Sequence, residues 1–304
     1  HGETYESVSL DSTRFKTFDK GDTLVISNIL PESTIPDPTL TIYSVHSMVE
    51  VYVDGELIYN YGREYFDADR MLGYGWNFVR LPDHFAGKTV KIVFYVTEDK
   101  AFEGMPAVSI IDGVNAQKNI LVNNWLFLVI GIFLTTIGSM GMIFAVIIFF
   151  RNASAFKMFC IMLFSFLMGL YTLANSDLLC LFNMDMAQKG LFEYISLYTF
   201  TIPFTAYFSD WLEVPDFPKW IKKVYYSWIV AELVFALVVL VMHYANILHL
   251  PWFVTFSHVM MLITLAVLVL VVVAGFKSNR NQDRGLVYGF AIAFVFAVGE
   301  LVRY

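Results

Sequence analysis

Residues Trp125–Phe150 read WLFLVIGIFLTTIGSMGMIFAVIIFF, 26 positions with no charged side chain among them. A helix rises about 1.5 Å per residue and a bilayer's hydrocarbon core is ~30 Å thick, so about 20 apolar residues suffice to cross it. The run predicts a membrane-spanning helix. Five more segments of spanning length follow, at about 156–173, 191–212, 224–244, 252–276 and 285–304. None of the six alternates with the period of two that a transmembrane barrel strand requires. Residues 124–304 are therefore expected to form an all-α transmembrane bundle of six helices, the first at about 125–150.

The charge balance changes where that bundle begins. Residues 1–123 carry 18 Asp and Glu against 10 Lys and Arg, whereas residues 124–304 carry 9 against 10. Over the whole chain 57% of residues are hydrophobic and 15% charged, well under the roughly 25% charged residues of soluble domains. The chain thus divides at Asn123–Asn124 into a part built for water and a part built for lipid. An acidic first part argues against nucleic acid as a partner. The opening His1-Gly2-Glu3 has no initiating Met and no charged-then-apolar leader, so either a signal peptide or anchor is expected to have been removed or the sequence is expected to be cut from a longer chain. Cys160 and Cys180 lie in or beside apolar runs and suggest no disulfide framework.

Lys and Arg gather in cytoplasmic connections. The odd-numbered connections and their flanks hold Arg151 and Lys157, then Lys219, Lys222 and Lys223, then Lys277, Arg280 and Arg284. The second connection holds Lys189 and the fourth, Ala245–Pro251, holds none. This bias of eight to one predicts a multi-pass protein of the plasma membrane with its N-terminal domain outside. The sixth segment leaves the cytoplasm after Arg284 and is still apolar at Tyr304, so parity predicts a seventh helix beyond it.

The outer part reads as short strands with turn punctuation. Thr23–Leu30 is a β-branched run stopped by Pro31. Leu40–Val53 reads as an extended run in which Val49, Val51 and Val53 alternate with Glu50, Tyr52 and Asp54. Asp54-Gly55 is a hairpin turn, with Leu57–Tyr61 returning. Asn77–Leu81 and Thr89–Val96 flank a turn at Ala86-Gly87-Lys88, and Ala107–Ile111 is the last strand. The expectation for residues 1–123 is an all-β antiparallel jelly-roll sandwich.

HSMVEVYVDGELIYNYG (His46–Gly62), NFVRLP (Asn77–Pro82) and GKTVKIVFYV (Gly87–Val96) together look like a galactose-binding-type jelly roll. Fused to a helical bundle, that domain resembles the bacterial seven-transmembrane receptors with diverse intracellular signalling modules. The resemblance implies an extracellular ligand, a small molecule or glycan, and an output module that is a GGDEF diguanylate cyclase or a histidine kinase. It also implies a homodimer formed through that output domain. Neither a GGDEF string nor a kinase ATP-binding pattern occurs in the chain, and no catalytic, cofactor or metal motif does either.

A sugar-binding sandwich would stack aromatics on pyranose faces and fix hydroxyls with polar groups. The Gly-rich, expectedly looped stretch Tyr61–Trp76 supplies the candidates Arg63, Tyr65, Phe66, Tyr74 and Trp76. The plainer reading is that these aromatics close one end of the sandwich. Within the membrane segments, ionisable residues are costly and mark candidates for coupling: Glu232, His258, Glu300 and Arg303, the last two three residues apart on one helical face. The plainer reading is a set of interhelical hydrogen bonds that fix packing. Asp210 is expected at an interface, and Pro203 to kink its helix. Gly131, Thr135 and Ser139 form a small-residue face suited to close helix contact. Trp125, Trp220, Trp228 and Trp252 sit near segment ends, as aromatic-belt anchors in membrane lipid do.

The leading functional expectation is a transmembrane signal receptor. The alternative is a transporter or channel with an extracellular accessory domain, which predicts paired broken helices; only Pro203 interrupts a segment. An intramembrane hydrolase would need a nucleophile–base set or metal cluster that these residues do not assemble.

Overall fold

The computed structural model describes residues 17–32, 35–102, 104–149, 155–182, 184–213 and 216–278. By contact the chain falls into two compact units, His1–Asn123 with Asp177–Gly190, and Asn124–Ser176 with Leu191–Tyr304.

The first unit is sandwich-like. Its strands are β1 (Thr23–Ile29), β2 (Pro38–Val45), β3 (Ser47–Val53), β4 (Glu56–Tyr61), β5 (Tyr74–Arg80), β6 (Thr89–Val96) and β7 (Val108–Asp112), with a short helix α1 (Arg63–Asp67) after β4. One antiparallel sheet has the order β1-β6-β3-β4 and the other β5-β2-β7. The alternation written into β3 decides which face turns inward. Val49, Val51 and Val53 join Ile92 and Phe94 of β6, and Leu40, Ile42 and Val79 of the other sheet, in one buried core. Burying each such side chain is worth roughly 1.5–3 kcal/mol.

Leu40–Val53 is not one strand. It breaks at His46 (φ +42°) into β2 and β3, which belong to different sheets. Long-range bonds hold this left-handed corner: the His46 N–H donates to the Gly73 carbonyl (2.9 Å), and the Thr97 N–H and hydroxyl donate to the His46 carbonyl at 2.9 and 2.8 Å. At the Asp54-Gly55 hairpin both residues take positive φ, +49° and +86°, as a type I′ turn demands. Tyr61–Trp76 is not a plain loop either, since it contains α1 and the first residues of β5.

The helices that follow are α2 (Gly113–Phe149), α3 (Ala155–Asn175), α4 (Met186–Thr199), α5 (Thr201–Tyr207), α6 (Lys219–Tyr244) and α7 (Val254–Ser278). Four helical stretches are long and apolar enough to cross a membrane: Gly113–Phe149, Ala155–Asn175, Lys219–Tyr244 and Leu250–Gly275. Helix α2 begins well before the apolar run because Asp112 caps it, its Oδ1 accepting from the N–H groups of Val114 (3.0 Å) and Asn115 (3.1 Å). Its 37 residues make about 55 Å of helix, longer than a bilayer core.

Six spans were expected and four are found among the described residues. The third segment, 191–212, is helical but broken into the end of α4, α5 and a 3-10 turn, Phe208–Glu213. Pro203 is the cause: it has no N–H for the Thr199 carbonyl, so the ladder is interrupted although Phe200 keeps a right-handed helical φ of −64°. The sixth segment, with Glu300 and Arg303, lies outside the described residues.

The second unit is apolar outside as well as in its buried cluster around Tyr225, Leu268 and Val271, unlike a water-soluble bundle, and it buries a few polar side chains. Phe133, Ile143 and Leu237 are about 60% exposed, while Thr205, Glu232, Ser257 and Thr264 are buried. Trp125, Trp220 and Trp252 are exposed as belt residues would be. Trp228 is not, because its indole N–H donates inward to the Thr264 hydroxyl (3.0 Å).

Candidate functional site

The alternation that turns Val49 and Val51 inward puts Glu50 on the opposite face of the four-stranded sheet. There it is only 2% exposed. Its carboxylate is divided between partners: Oε1 accepts from the Arg63 guanidinium (2.8 Å), and Oε2 from the Tyr52 hydroxyl (2.7 Å) and the Tyr95 hydroxyl (3.4 Å). Tyr52 shares strand β3 with Glu50, and Tyr95 comes from neighbouring β6. Arg63 opens α1, launched from Gly62 at φ +86°. One turn on, Phe66 packs its ring against Tyr95 with centroids 5.8 Å apart, and the Lys91 ammonium lies 5.9 Å from the Tyr52 ring centroid. The hydrogen bond to Glu50 raises the Tyr52 phenol above its usual range, and burial adds to this. For Tyr95 burial is the leading cause and the Glu50 charge the second.

The result is a patch of three aromatic rings and two cations around one nearly buried carboxylate. Such a patch can accept hydroxyl protons, donate to ring oxygens and stack on the C–H face of a polyol.

Tyr65, Tyr74 and Trp76 stand elsewhere in the same unit, against the segment Asp177–Gly190. Lys189 is buried there, its ammonium 4.0 Å from the Tyr74 ring centroid, donating to the Tyr74 carbonyl (3.3 Å) and 3.6 Å from Asp177 Oδ1. The other Asp177 oxygen accepts from the Trp76 indole N–H (3.1 Å), and Trp76 sets its edge against Tyr43. Met186 sits over Gly73 and Gly75, and the Ser44 hydroxyl points at its sulfur (3.8 Å). Behind Ser44, buried Asn77 donates to the Ser44 hydroxyl (2.8 Å) and to the Ile42 carbonyl (3.2 Å), and accepts from the Tyr59 hydroxyl (3.0 Å). Tyr74 and Trp76 are thus occupied in holding this segment.

Burial, with the nearby Asp185 carboxylate second, pushes Tyr59 up to about 12 and also raises Tyr61 and Tyr65. The free phenol ionises near 10, so between pH 10 and about 12 the unfolded chain has lost protons that the folded unit still holds. Folded stability is therefore full below pH 10 and falls as pH rises through that window. The expected loss from Tyr59 alone is on the order of 2 kcal/mol, read from chemical unfolding at pH 9 and pH 11.5. Equal unfolding midpoints at the two values contradict it.

In the second unit Glu232 of α6 sits where α5 and α7 meet that helix. Its Oε1 accepts from Thr264 of α7 (2.6 Å) and Thr205 of α5 (3.4 Å). His258 lies on α7 beside buried Ser257 and is itself half-buried. Asp210 does have a partner, forming an ion pair with Lys157 at the start of α3.

Five residues that one Gly-rich stretch groups together therefore divide between two places, Arg63 and Phe66 in one, and Tyr65, Tyr74 and Trp76 in the other. Sequence reasoning missed Glu50, Tyr52 and Tyr95, which read as the solvent face of two strands. It also missed Asp177 and Lys189, although Lys189 is the single cation of its connection, which was a usable signal. Compared with protein-family models, with curated proteins and with solved structures, the chain matches none.

Proposed function

We propose that this chain is the input and transmission part of a membrane signal receptor. The observation that carries this reading is the placement of Asp177–Gly190. This connection between two apolar helices is built into the β unit, with Lys189 buried and Asp177 bonded to Trp76. The chain consequently passes between the two units three times rather than once, so a strain in the β unit is delivered to α2, α3 and α4 together. Such delivery is what a receptor needs and what a tethered accessory domain does not.

The same placement supports a topology in which the connection after α3 and the β unit share one side of the membrane; that this side is the outer one rests on the Lys and Arg bias. If α2 and α3 each cross once, the connection after α3 must lie on the side of the N-terminal domain, and it shares a unit with that domain. The Lys157–Asp210 pair joins the first connection's flank to the far end of the third segment, which fits those two ends sharing the other side. The jelly-roll reading rests on the sheet orders and the strand pattern, and six or seven spans rest on hydropathy. A diguanylate cyclase output is implied by the resemblance alone.

The ligand site in this reading is the Glu50–Arg63 patch with Tyr52, Tyr95 and Phe66, and the ligand is a neutral saccharide. The purified chain in lipid nanodiscs, titrated with a panel of mono- and oligosaccharides, should bind at least one of them. Arg63→Ala and Glu50→Gln should each weaken it at least about tenfold, or roughly 1.4 kcal/mol. Arg63 is half-exposed but Glu50 is 2% exposed, so Arg63→Ala leaves a buried carboxylate without its cation. Arg63→Lys, which keeps the charge and loses the forked donor, is the milder probe, and a melt of each variant separates lost binding from lost folding. Saccharide binding that both variants leave intact sinks the site, and no binding across the panel sinks the ligand class.

One observation favours a transporter or channel instead. The Pro203 break stands beside Thr201 and Thr205, next to an intramembrane carboxylate, an arrangement familiar where helices line an ion path. Solute or ion flux through reconstituted vesicles that contain only this chain would favour it over the receptor.

A further inference from the structure

The Glu232 carboxyl is only half satisfied. Oε1 has its two threonine donors, but Oε2 is buried with no hydrogen-bond partner among the described residues. The side chain is 2% exposed and lines a small cavity together with Tyr198, Thr201, Phe235, Ser257 and Met260. The space holds about one water molecule. Among the described residues no ion pair reaches Glu232.

We propose that this cavity is a binding site for a small dehydrated monovalent cation, sodium in chemical size and charge. Carboxylate and hydroxyl oxygens are hard donors, which select alkali and alkaline-earth ions over softer metals. One carboxylate balances one positive charge. Calcium asks for about six to eight oxygens, and magnesium keeps several of its waters, so neither fits a space of one water with one carboxylate. The Tyr198 hydroxyl donates its proton to the Leu250 carbonyl (2.6 Å) and keeps its lone pairs, so the Tyr198, Thr201 and Ser257 hydroxyl oxygens are the neutral oxygens that line the cavity with Glu232. An unpaired carboxylate in a low-dielectric interior is costly, and a bound cation removes that cost where it arises. Because the lining comes from α4, α5, α6 and α7, occupancy ties these four elements together on both sides of the Pro203 break.

The test is thermal melting of the whole chain in detergent at fixed ionic strength, with sodium, potassium or choline chloride as the only salt. Trp228, which donates to the threonine that holds Glu232, is one of the six tryptophans whose fluorescence follows the melt. Sodium a hundredfold above its Kd should raise the Tm by roughly 5–10 °C over choline, saturably, with potassium weaker. Glu232→Gln should remove the sodium response. Should that variant not fold, Ser257→Ala and Thr201→Val decide the matter, each expected to shift half-saturation about tenfold. Identical melts in sodium and choline, a sodium response that survives Glu232→Gln, or unshifted half-saturation in both hydroxyl variants would overturn the proposal and leave a buried water as occupant. Arg63→Ala, which probes the outer ligand site, should leave the sodium response unchanged, so failure of one reading does not carry the other.

Discussion

Replacing Gly73 with valine should leave both sheets folded and expel the Asp177–Gly190 segment from the β unit. A Cβ at Gly73 would fall 1.7 Å from the Met186 carbonyl oxygen, 2.2 Å from its carbon and 2.9 Å from the Ala187 nitrogen. These are backbone atoms, so no rotamer change relieves the clash, and the segment must retreat by more than an ångström. Retreat separates Lys189 from Tyr74 and Asp177, Asp177 from Trp76, and Met186 from Ser44. The expected cost is about 3 kcal/mol or more, above ordinary overpacking because a buried charge loses its partners as well. Hydrogen exchange should show protection lost across 177–190 while β3 and β6 keep theirs. Gly104→Val is the control, since a Cβ there meets nothing within 4 Å. Full protection of 177–190 in Gly73→Val would contradict the packing described. In the receptor reading this variant also separates two roles, because saccharide binding at Arg63 and Glu50 should persist while its effect on the helices is lost.

That segment marks the limit of what local sequence pattern could reveal. Strand alternation around Val49–Val53, the Asp54-Gly55 hairpin and the apolar runs are short-range signals, and the strand, the hairpin and four of the six spans they specify are present among the described residues. The corner at His46 gave no such signal. It has no glycine or proline, and its left-handed backbone is held by Gly73 and Thr97, far along the chain. Hydropathy marked only the apolar part of α2, whereas the start of that helix is fixed by the Asp112 cap. Tyr74 and Trp76 looked like exposed recognition aromatics because what covers them arrives about a hundred residues later, as Asp177 and Lys189. Glu50 looked solvent-exposed because alternation assigns a face but not what covers it; α1 and two tyrosines do so. Glu232 was legible for the opposite reason, since a carboxylate inside an apolar run is conspicuous without any knowledge of its neighbours.

The small-residue face of α2 yields the second large effect, and its ranking follows from which atoms each glycine meets. The face is Gly131, Thr135 and Gly138; Ser139 instead returns its hydroxyl to the Thr136 carbonyl (2.9 Å). A Cβ at Gly138 would lie 2.5 Å from the Phe166 nitrogen and 2.8 Å from the Met162 carbonyl oxygen, and one at Gly169 would lie 2.5 Å from the Thr135 nitrogen and 2.9 Å from the Gly131 carbonyl oxygen. At both positions α2 and α3 meet backbone to backbone. At Gly131 the nearest atoms belong to the Leu173 side chain (2.5 Å), and at Gly141 to that of Met162 (2.2 Å), both of which can rotate away. In lipid no hydrophobic force presses two helices together, so close contact and Cα–H···O bonds carry the association. Even one methyl at Gly138 or Gly169 should therefore part the helices and cost about 3 kcal/mol, whereas Gly131→Ala and Gly141→Ala should cost about 1 kcal/mol or less. Thermal unfolding of the four alanine variants in one detergent reads the order directly. A series in which Gly131→Ala is as damaging as Gly138→Ala would mean that the α2–α3 contact is not made by backbone. A series in which none is damaging would mean that these two helices do not pack through this face.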